Sequence, residues 1–173
     1  YIVVGGIKFY SRKEIKDLLA YLRLIVNPDD DESLRRILNV PPRGIGPSGR
    51  EQFEEYAQQR KAPLLQVLRE CDLDATVSTR ARNGAAALVE VIDELSRDAE
   101  NKTVAPLVEQ LMDRIGYRAF VEHSDEKEIR NRIEVVEEFV VACKQYDERG
   151  SVGLRGFLEE LALVSDVDGW EDT

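Results

Sequence analysis

Histidine and cysteine are scarce in this sequence, which contains one histidine and two cysteines among 173 residues. No Cys-x-x-Cys pair occurs and His123 has no second histidine as a partner, so the residue spacing excludes a typical zinc site. Cys71 and Cys143 lie far apart on predicted apolar helix faces, which favours two reduced core thiols over a disulfide or a redox role. We interpret His123, near a predicted helix end, as a surface residue rather than a catalytic base.

Long hydrophobic runs and the common catalytic motifs are also absent. No segment approaches the roughly 18 to 20 apolar residues that a membrane-spanning helix needs. The sequence contains no G-x-x-x-x-G-K-[ST] phosphate loop, no G-x-S-x-G and no H-E-x-x-H. We therefore expect no catalytic residue, no bound cofactor and no metal in this chain, and we expect no membrane partner.

One acidic run, Asp29–Glu32, invites comparison with a metal site. Adjacent residues point in different directions, and the alternating spacing of an oxygen-ligand loop is missing. Acidic side chains at a helix start accept hydrogen bonds from free amides and complement the helix dipole. We therefore interpret the run as helix capping, and an independent carboxylate enzyme built on it has no supporting geometry.

The net charge of −10 is unevenly distributed along the chain. Residues 1–60 contain ten Lys/Arg and nine Asp/Glu, a net charge of +1, whereas residues 61–173 contain 14 and 25, a net charge of −11. An acidic chain is a poor candidate for simple electrostatic binding to nucleic acid. Any phosphate contact is therefore expected in the first third.

Apolar residues at spacings of three and four predict helices along most of the chain. The first follows a capping box at Ser11–Glu14 and runs to Val26. The later predicted helices are 32–39, 47–60, 62–71, 78–98, 103–115, 117–123, 125–149 and 151–165. Tyr1–Gly6 predicts a short strand, which Phe9 and Tyr10 continue as an extended edge. The predicted fold is a mainly α multi-helix domain with one N-terminal strand left from a neighbouring α/β domain.

Glycine and proline are concentrated in one nine-residue segment, Pro41–Gly49, which contains three of each. Its central residues, Arg43–Gly46, are called the elbow below. Proline fixes φ, and glycine allows positive φ and close approach to the backbone, so the elbow is expected to be rigid with few side chains. Pro47 suits the first position of the next helix, whose free amides attract an anion.

The order helix, Arg43-Gly44-Ile45-Gly46, helix is typical of a helix-hairpin-helix element. Ile45 is expected to insert between the two helices. Backbone amides can bind phosphate when no Cβ holds it away, and such contacts position a duplex without reading its bases. The candidate DNA-binding residues are Arg43, Gly44, Ile45, Gly46, Ser48 and Arg50. A tight turn between helices explains Gly-x-Gly equally well, so from spacing alone both interpretations remain open.

Most of the chain also resembles a known family, the superfamily 1 DNA helicases of the UvrD, PcrA and Rep type. The residues that carry the resemblance are Val4–Tyr10, Arg12–Asp17, Ala20–Leu24, Asn27–Asp30, Leu34–Gly46, Arg132–Glu134, Glu137–Val140, Phe157–Leu158 and Leu161–Leu163. The likeness is most specific in residues 4–46. Pro47 after the second glycine is a less usual choice for this family.

The resemblance implies that the chain is subdomain 2B with the adjoining end of subdomain 2A. Residues 1–28 would be the end segment of motor subdomain 2A, 29–165 the helical subdomain 2B, and 166–173 an acidic linker back toward 2A. Because the sequence begins within a predicted strand, we expect it to be excised from a longer protein. That parent would be an ATP-dependent 3′–5′ DNA helicase of DNA repair or replication, with ATP and Mg²⁺ bound outside these residues.

The same resemblance implies partners and a location. It implies phosphate contacts from Arg43, Gly44, Ile45, Gly46 and Ser48 to duplex or junction DNA, together with contacts to the other helicase subdomains. It also implies a cytoplasmic, nucleoid-associated location in a bacterium. An alternative of another class is a protein-interaction module, in which the acidic helices of 79–149 dock the helicase to a repair protein or RNA polymerase.

Overall fold

The computed structural model describes residues 9–70, 76–123, 129–150 and 153–171, with side chains up to residue 163. Within these ranges it contains nine α helices and no strand, so the predicted mainly α fold is confirmed. The helices are α1 Lys13–Val26, α2 Asp31–Ile37, α3 Pro47–Arg60, α4 Leu64–Glu70, α5 Thr79–Asp98, α6 Val104–Ile115, α7 Tyr117–Glu122, α8 Ile129–Glu148 and α9 Gly153–Glu171. The strand predicted at Tyr1–Gly6 and the thiol of Cys71 lie outside the described residues.

The start of the described chain differs from the sequence expectation. Phe9 and Tyr10 are helical rather than extended, because the Arg12 amide closes a turn on the Phe9 carbonyl at 3.2 Å and the Phe9 ring is buried. The predicted capping box is also wrong. The N-cap residue of α1 is Arg12, whose side chain makes no capping hydrogen bond. The carboxylate of buried Glu14 does not reach back to the helix start and instead accepts a 2.6 Å hydrogen bond from Nε of Arg132.

The central helix of the fold is α1, which packs against α2, α5, α8 and α9. Ten of its 14 residues are buried, so it is enclosed on more than the single apolar face that the spacing predicted. The predicted face comprises Ile15, Leu18, Leu19, Leu22 and Ile25. Tyr21 and Leu24 lie outside it and still have no exposed surface. One continuous apolar core runs from Phe9 to Leu161 and includes α1. The predicted boundary between residues 28 and 29 therefore crosses this core and stays a prediction.

Two carboxylates of α1 are buried within this core. Glu14 and Asp17 are 5% and 2% exposed, and their partners come from other helices: Arg132 of α8 for Glu14 and Arg36 of α2 for Asp17, at 2.9 Å. Burial raises the pKa of Asp17, and the guanidinium of Arg36 opposes that shift. These pairs fix α1 against α2 and α8, because separating either pair would leave a buried charge uncompensated.

The acidic run 29–32 caps helices, as predicted. Asp30 accepts hydrogen bonds from the Ser33 amide at 3.1 Å and from its hydroxyl at 2.7 Å. Asp31 accepts one from the Leu64 amide at 2.9 Å, so it satisfies the start of α4. At the other end of the chain, α9 continues to Glu171, past residue 165 where the sequence predicted its end. Among the helices described, none is long and apolar enough to cross a membrane.

Gly84, in the middle of α5, is the point at which this helix touches the elbow. A Cβ placed on Gly84 would lie 2.1 Å from the carbonyl oxygen of Arg43, a separation that real side chains do not tolerate. The missing side chain therefore lets α5 lie directly against the elbow backbone. This contact explains why a residue of low helix propensity occupies a helix interior.

Replacement of Gly84 by alanine is expected to destabilise the protein, although the same change at an exposed helix position stabilises by up to about 1 kcal/mol. The new methyl group must displace the Arg43 carbonyl, so we expect the free energy of unfolding in urea to fall by about 1–3 kcal/mol. Asn83→Ala, at the exposed neighbouring position, is the control and should change it by less than about 0.5 kcal/mol. If Gly84→Ala is as stable as the unsubstituted chain or more stable, the close contact between Gly84 and the Arg43 carbonyl is wrong.

Candidate nucleic-acid interface

The elbow joins α2 to α3 through two glycines with different backbone requirements. Gly44 has a φ of +85°, a value that residues with a side chain rarely adopt. Gly46 has a φ of −83° and a ψ of −174°, which any residue can adopt, and it precedes Pro47 at the first position of α3. The predicted role of Pro47 is therefore confirmed, whereas the conformation of Gly46 gives no backbone reason for a glycine.

Asn39, just after α2, holds the elbow from inside. Its Oδ1 accepts hydrogen bonds from the amides of Arg43, at 2.7 Å, and Ile45, at 3.2 Å. One side-chain oxygen thus fixes the backbone on both sides of Gly44. Sequence reasoning missed this residue, although an asparagine after a helix is a common acceptor for turn amides.

The side chain of Arg43 points into the protein rather than toward solvent. Its guanidinium donates hydrogen bonds to the carbonyls of Ile37, Leu38 and Val40 and to the hydroxyl of Tyr21, with 2.8 Å to the Leu38 oxygen. A cation suits the end of α2, where backbone carbonyls lack partners within the helix. The guanidinium predicted to approach phosphate is thus engaged within the chain.

Ile45 lies inside as well, with 3% of its surface exposed. A Cβ on Gly49 of α3 would stand 3.7 Å from its Cγ2, which places the isoleucine against the first turn of that helix. Burial of Ile45 against α3 agrees with the expected insertion, whereas its contact with α2 stays a prediction. With its amide bound to Asn39 and its side chain buried, Ile45 anchors the elbow and offers no group to solvent.

Several backbone amides of the elbow and of the first turn of α3 lack an internal partner. In the described part of the chain, the amides of Gly44, Gly46, Ser48 and Gly49 form no hydrogen bond. A Cβ on Gly46 would meet nothing within 4 Å, and Gly46, Pro47 and Ser48 are exposed. The positive end of the α3 dipole adds to the attraction of these amides for an anion.

A second helix, α5, begins beside the elbow. Thr76, ahead of it, is held by α3: Nε2 of Gln52 donates to its carbonyl at 3.1 Å, and its hydroxyl lies 2.9 Å from that of Tyr56. A Cβ on Gly49 would lie 3.3 Å from the Cβ of Ala81, so the first turns of α3 and α5 are in contact. This packing brings Arg80, a residue that sequence reasoning missed, to the elbow.

Two arginines flank the outward side of the elbow. Arg50 is exposed and donates one hydrogen bond, from Nη2 to the Arg35 carbonyl at 2.9 Å. Arg80 is exposed, and its stem crosses Gly44. No cluster of three or more potential metal ligands occurs among the residues that the structure describes. The arrangement can bind an anion through backbone amides with arginine support.

Many acidic side chains of the later helices are paired within the chain. Asp93 receives two hydrogen bonds from Arg69, which lower the pKa of its carboxyl, and Glu94 pairs with Arg114 at 2.7 Å. Solvent-exposed pairs of this kind add little stability. They do reduce the negative charge that α5 presents to a ligand.

The helix packing defines a mainly α domain in which the glycine elbow joins α2 to α3. The sequence matches the UvrD-like helicase C-terminal domain family over residues 1–172. The chain therefore belongs to this family, and the resemblance seen in the sequence is confirmed at that level.

Two curated relatives show the same relationship. The chain is 40% identical over 171 residues to the ATP-dependent DNA helicase PcrA of Staphylococcus aureus and, to the same extent, to that of Staphylococcus epidermidis. Each alignment covers 97% of this chain and 23% of the relative. The chain thus spans about a quarter of the length of these relatives.

Replacement of Asn39 by alanine is expected to loosen the elbow, because the amides of Arg43 and Ile45 lose their shared acceptor. We expect the free energy of unfolding to fall by about 1–3 kcal/mol and hydrogen exchange at both amides to accelerate. Asn39→Asp keeps an oxygen at the same place and should preserve most of the protection. Unchanged exchange at Arg43 and Ile45 in Asn39→Ala would show that the two bonds do not hold the elbow.

Proposed function

We propose that this chain is the duplex-contacting regulatory region of an ATP-dependent 3′–5′ DNA helicase, equivalent to subdomain 2B with the adjoining end of subdomain 2A. The observation that carries the proposal is that the amides of Gly44, Gly46 and Ser48 have no hydrogen-bond partner among the described residues, while Gly46 and Ser48 are exposed. The rest of the parent would bind ATP and Mg²⁺ and translocate on single-stranded DNA in repair or replication. This chain would bind the duplex DNA ahead of that motor, and the DNA would be a bacterial chromosome.

The contrast between inward and outward groups supports this function. The side chains of Arg43 and Ile45 are used inside the protein, so they rigidify the elbow instead of reaching the ligand. Gly44, Gly46 and Ser48 present donors with no internal partner among the described residues. A rigid row of amides costs little conformational entropy when it binds, which suits a phosphate backbone. We therefore assign phosphate contact to Gly44, Gly46, Ser48 and Arg50, and support to Arg43 and Ile45.

The charge distribution supports contact with only a few phosphates. A chain of net charge −10 repels DNA over most of its surface, and neutral amides bind phosphate without a basic patch. Such contacts carry no base specificity. Binding should accordingly be weak, independent of sequence, and only modestly dependent on salt.

A second candidate function, docking of a protein partner, draws on one observation on α8. Val141 is 46% exposed, and Glu134, Glu137 and Glu138 precede it on the same helix as exposed residues. An apolar residue beside several carboxylates suits a basic partner such as a repair protein or RNA polymerase. This surface does not include the elbow, so both functions are compatible in one chain.

The decisive variant for the elbow is Gly46→Ala. Alanine can adopt the φ and ψ of Gly46, and a Cβ there would contact no other atom. The free energy of unfolding should therefore stay the same or rise slightly. The methyl group would stand between the amides and a phosphate, and we expect affinity for a 20-base-pair duplex, measured by fluorescence anisotropy at about 0.1 M salt, to fall roughly tenfold.

Gly150→Ala is the matched control for that experiment. Gly150 lies after α8 with a φ of +71° and nothing within 4 Å of a Cβ. Alanine there should cost about 1 kcal/mol of stability through backbone strain and leave duplex affinity unchanged. If Gly46→Ala binds duplex with the same affinity as the unsubstituted chain, the elbow is only a turn between helices.

The chain by itself is expected to hydrolyse no ATP, with or without DNA, because its sequence contains no phosphate loop. Release of inorganic phosphate from ATP and Mg²⁺ measures this directly. Turnover that persists through successive purification steps and co-elutes with the chain would overturn the assignment of the motor to the rest of the parent.

A further inference from the structure

Arg80, the second residue of α5, differs from the arginines around it. Arg43 binds carbonyls at the end of α2, Arg35 pairs with Glu54 at 2.7 Å, and Arg36 pairs with Asp17. Each of these holds two segments of the fold together. The guanidinium of Arg80 has no hydrogen bond and no ion pair with any residue that the structure describes, and it is exposed.

The stem of Arg80 lies across the elbow at Gly44. A Cβ on Gly44 would come 2.5 Å from Cγ, 3.0 Å from Nε and 3.2 Å from Cδ of Arg80. The stem of Arg80, including Nε, therefore lies against Gly44, which places the guanidinium beside the elbow. A long side chain usually loses conformational freedom when it binds, and this packing removes part of that freedom beforehand.

We propose that Arg80 is a nucleic-acid phosphate contact that acts beside the elbow, and that Gly44 lacks a side chain partly because the Arg80 stem crosses it. The inference rests on the proposed function of the elbow. Phosphate is the fitting ligand because the arginine fork binds two of its oxygens at once, and the neighbouring elbow amides are themselves suited to the same backbone. Arg80 would thereby extend the contact from α3 to α5 and supply the positive charge that the inward-facing Arg43 does not.

The first test compares Arg80→Ala with Arg97→Ala in binding to a blunt 20-base-pair duplex over a series of salt concentrations. Arg97 is exposed near the other end of α5, so both variants lose one arginine and one charge from the same helix. We expect Arg80→Ala to weaken binding by about threefold to tenfold and to reduce the salt slope by roughly 0.9, the value of one phosphate. Arg97→Ala should leave both quantities near those of the parent sequence, and Arg80→Lys should restore the slope but only part of the affinity.

The second test is a double-mutant cycle that addresses the contact with Gly44. Gly44→Ala should weaken binding partly by displacing the Arg80 side chain, so its effect should shrink in the Arg80→Ala background. Gly46→Ala, whose Cβ meets nothing within 4 Å, is the control pair and should combine additively with Arg80→Ala. Circular dichroism melting curves of each variant report any loss of fold separately.

The outcomes separate this inference from the function on which it rests. If Gly46→Ala loses affinity while Arg80→Ala binds with the affinity and salt slope of the parent sequence, the elbow function stands and the Arg80 contact is wrong. Equal losses of duplex affinity in Arg80→Ala and Arg97→Ala would show that Arg80 acts only through its general charge. That result would also overturn the proposed Arg80 contact. If the unsubstituted chain binds no duplex, both the elbow function and the Arg80 contact are wrong.

Discussion

The fixed position of Arg43 is the constraint on which the candidate interface depends. Its guanidinium binds the carbonyls at the end of α2 and the hydroxyl of Tyr21 in the central helix, while its own carbonyl lies where a side chain on Gly84 would otherwise stand. Its amide donates to Asn39. One residue therefore connects α1, α2, α5 and the elbow. Because a buried donor left unpaired costs about 1–3 kcal/mol, these bonds strongly favour one arrangement of the elbow.

Within a few residues, this arrangement separates side chains that hold the fold from amides that we propose to bind phosphate. The side chains of Arg43 and Ile45 are engaged within the protein, and the amides of Gly44, Gly46 and Ser48 have no hydrogen-bond partner among the described residues. An acidic protein gains from such a division, since backbone amides attract phosphate without adding the long-range positive field that its carboxylates would cancel. Duplex DNA is the ligand that we propose for these amides, and the chain belongs to the UvrD-like helicase C-terminal domain family.

Arginine side chains neutralise several of the carboxylates of this chain, in the core as well as on the later helices. Arg69 and Arg114 neutralise Asp93 and Glu94 on the exposed side of α5, and buried Glu14 and Asp17 receive arginines from α8 and α2. The arginines in these pairs are committed to the fold. Arg80 is the contrasting case beside the elbow, because its stem lies against Gly44 while its guanidinium pairs with none of the described residues.

The sequence by itself determined the features that depend on neighbours within one helical turn. These include the helices, the start of α3 at Pro47, the capping by Asp30 and the open backbone at the elbow. The tertiary structure decided the features that join distant positions. Arg43 meets Tyr21 across 22 positions and Glu14 meets Arg132 across 118, and no local pattern encodes such pairs. Sequence reasoning therefore predicted the glycine turn between α2 and α3, but it did not foresee the internal bonds of Arg43 or the roles of Asn39 and Arg80 beside that turn. It also gave α1 one buried face, whereas the packing of four helices encloses more of this helix. The phosphate contacts of the elbow stay a prediction.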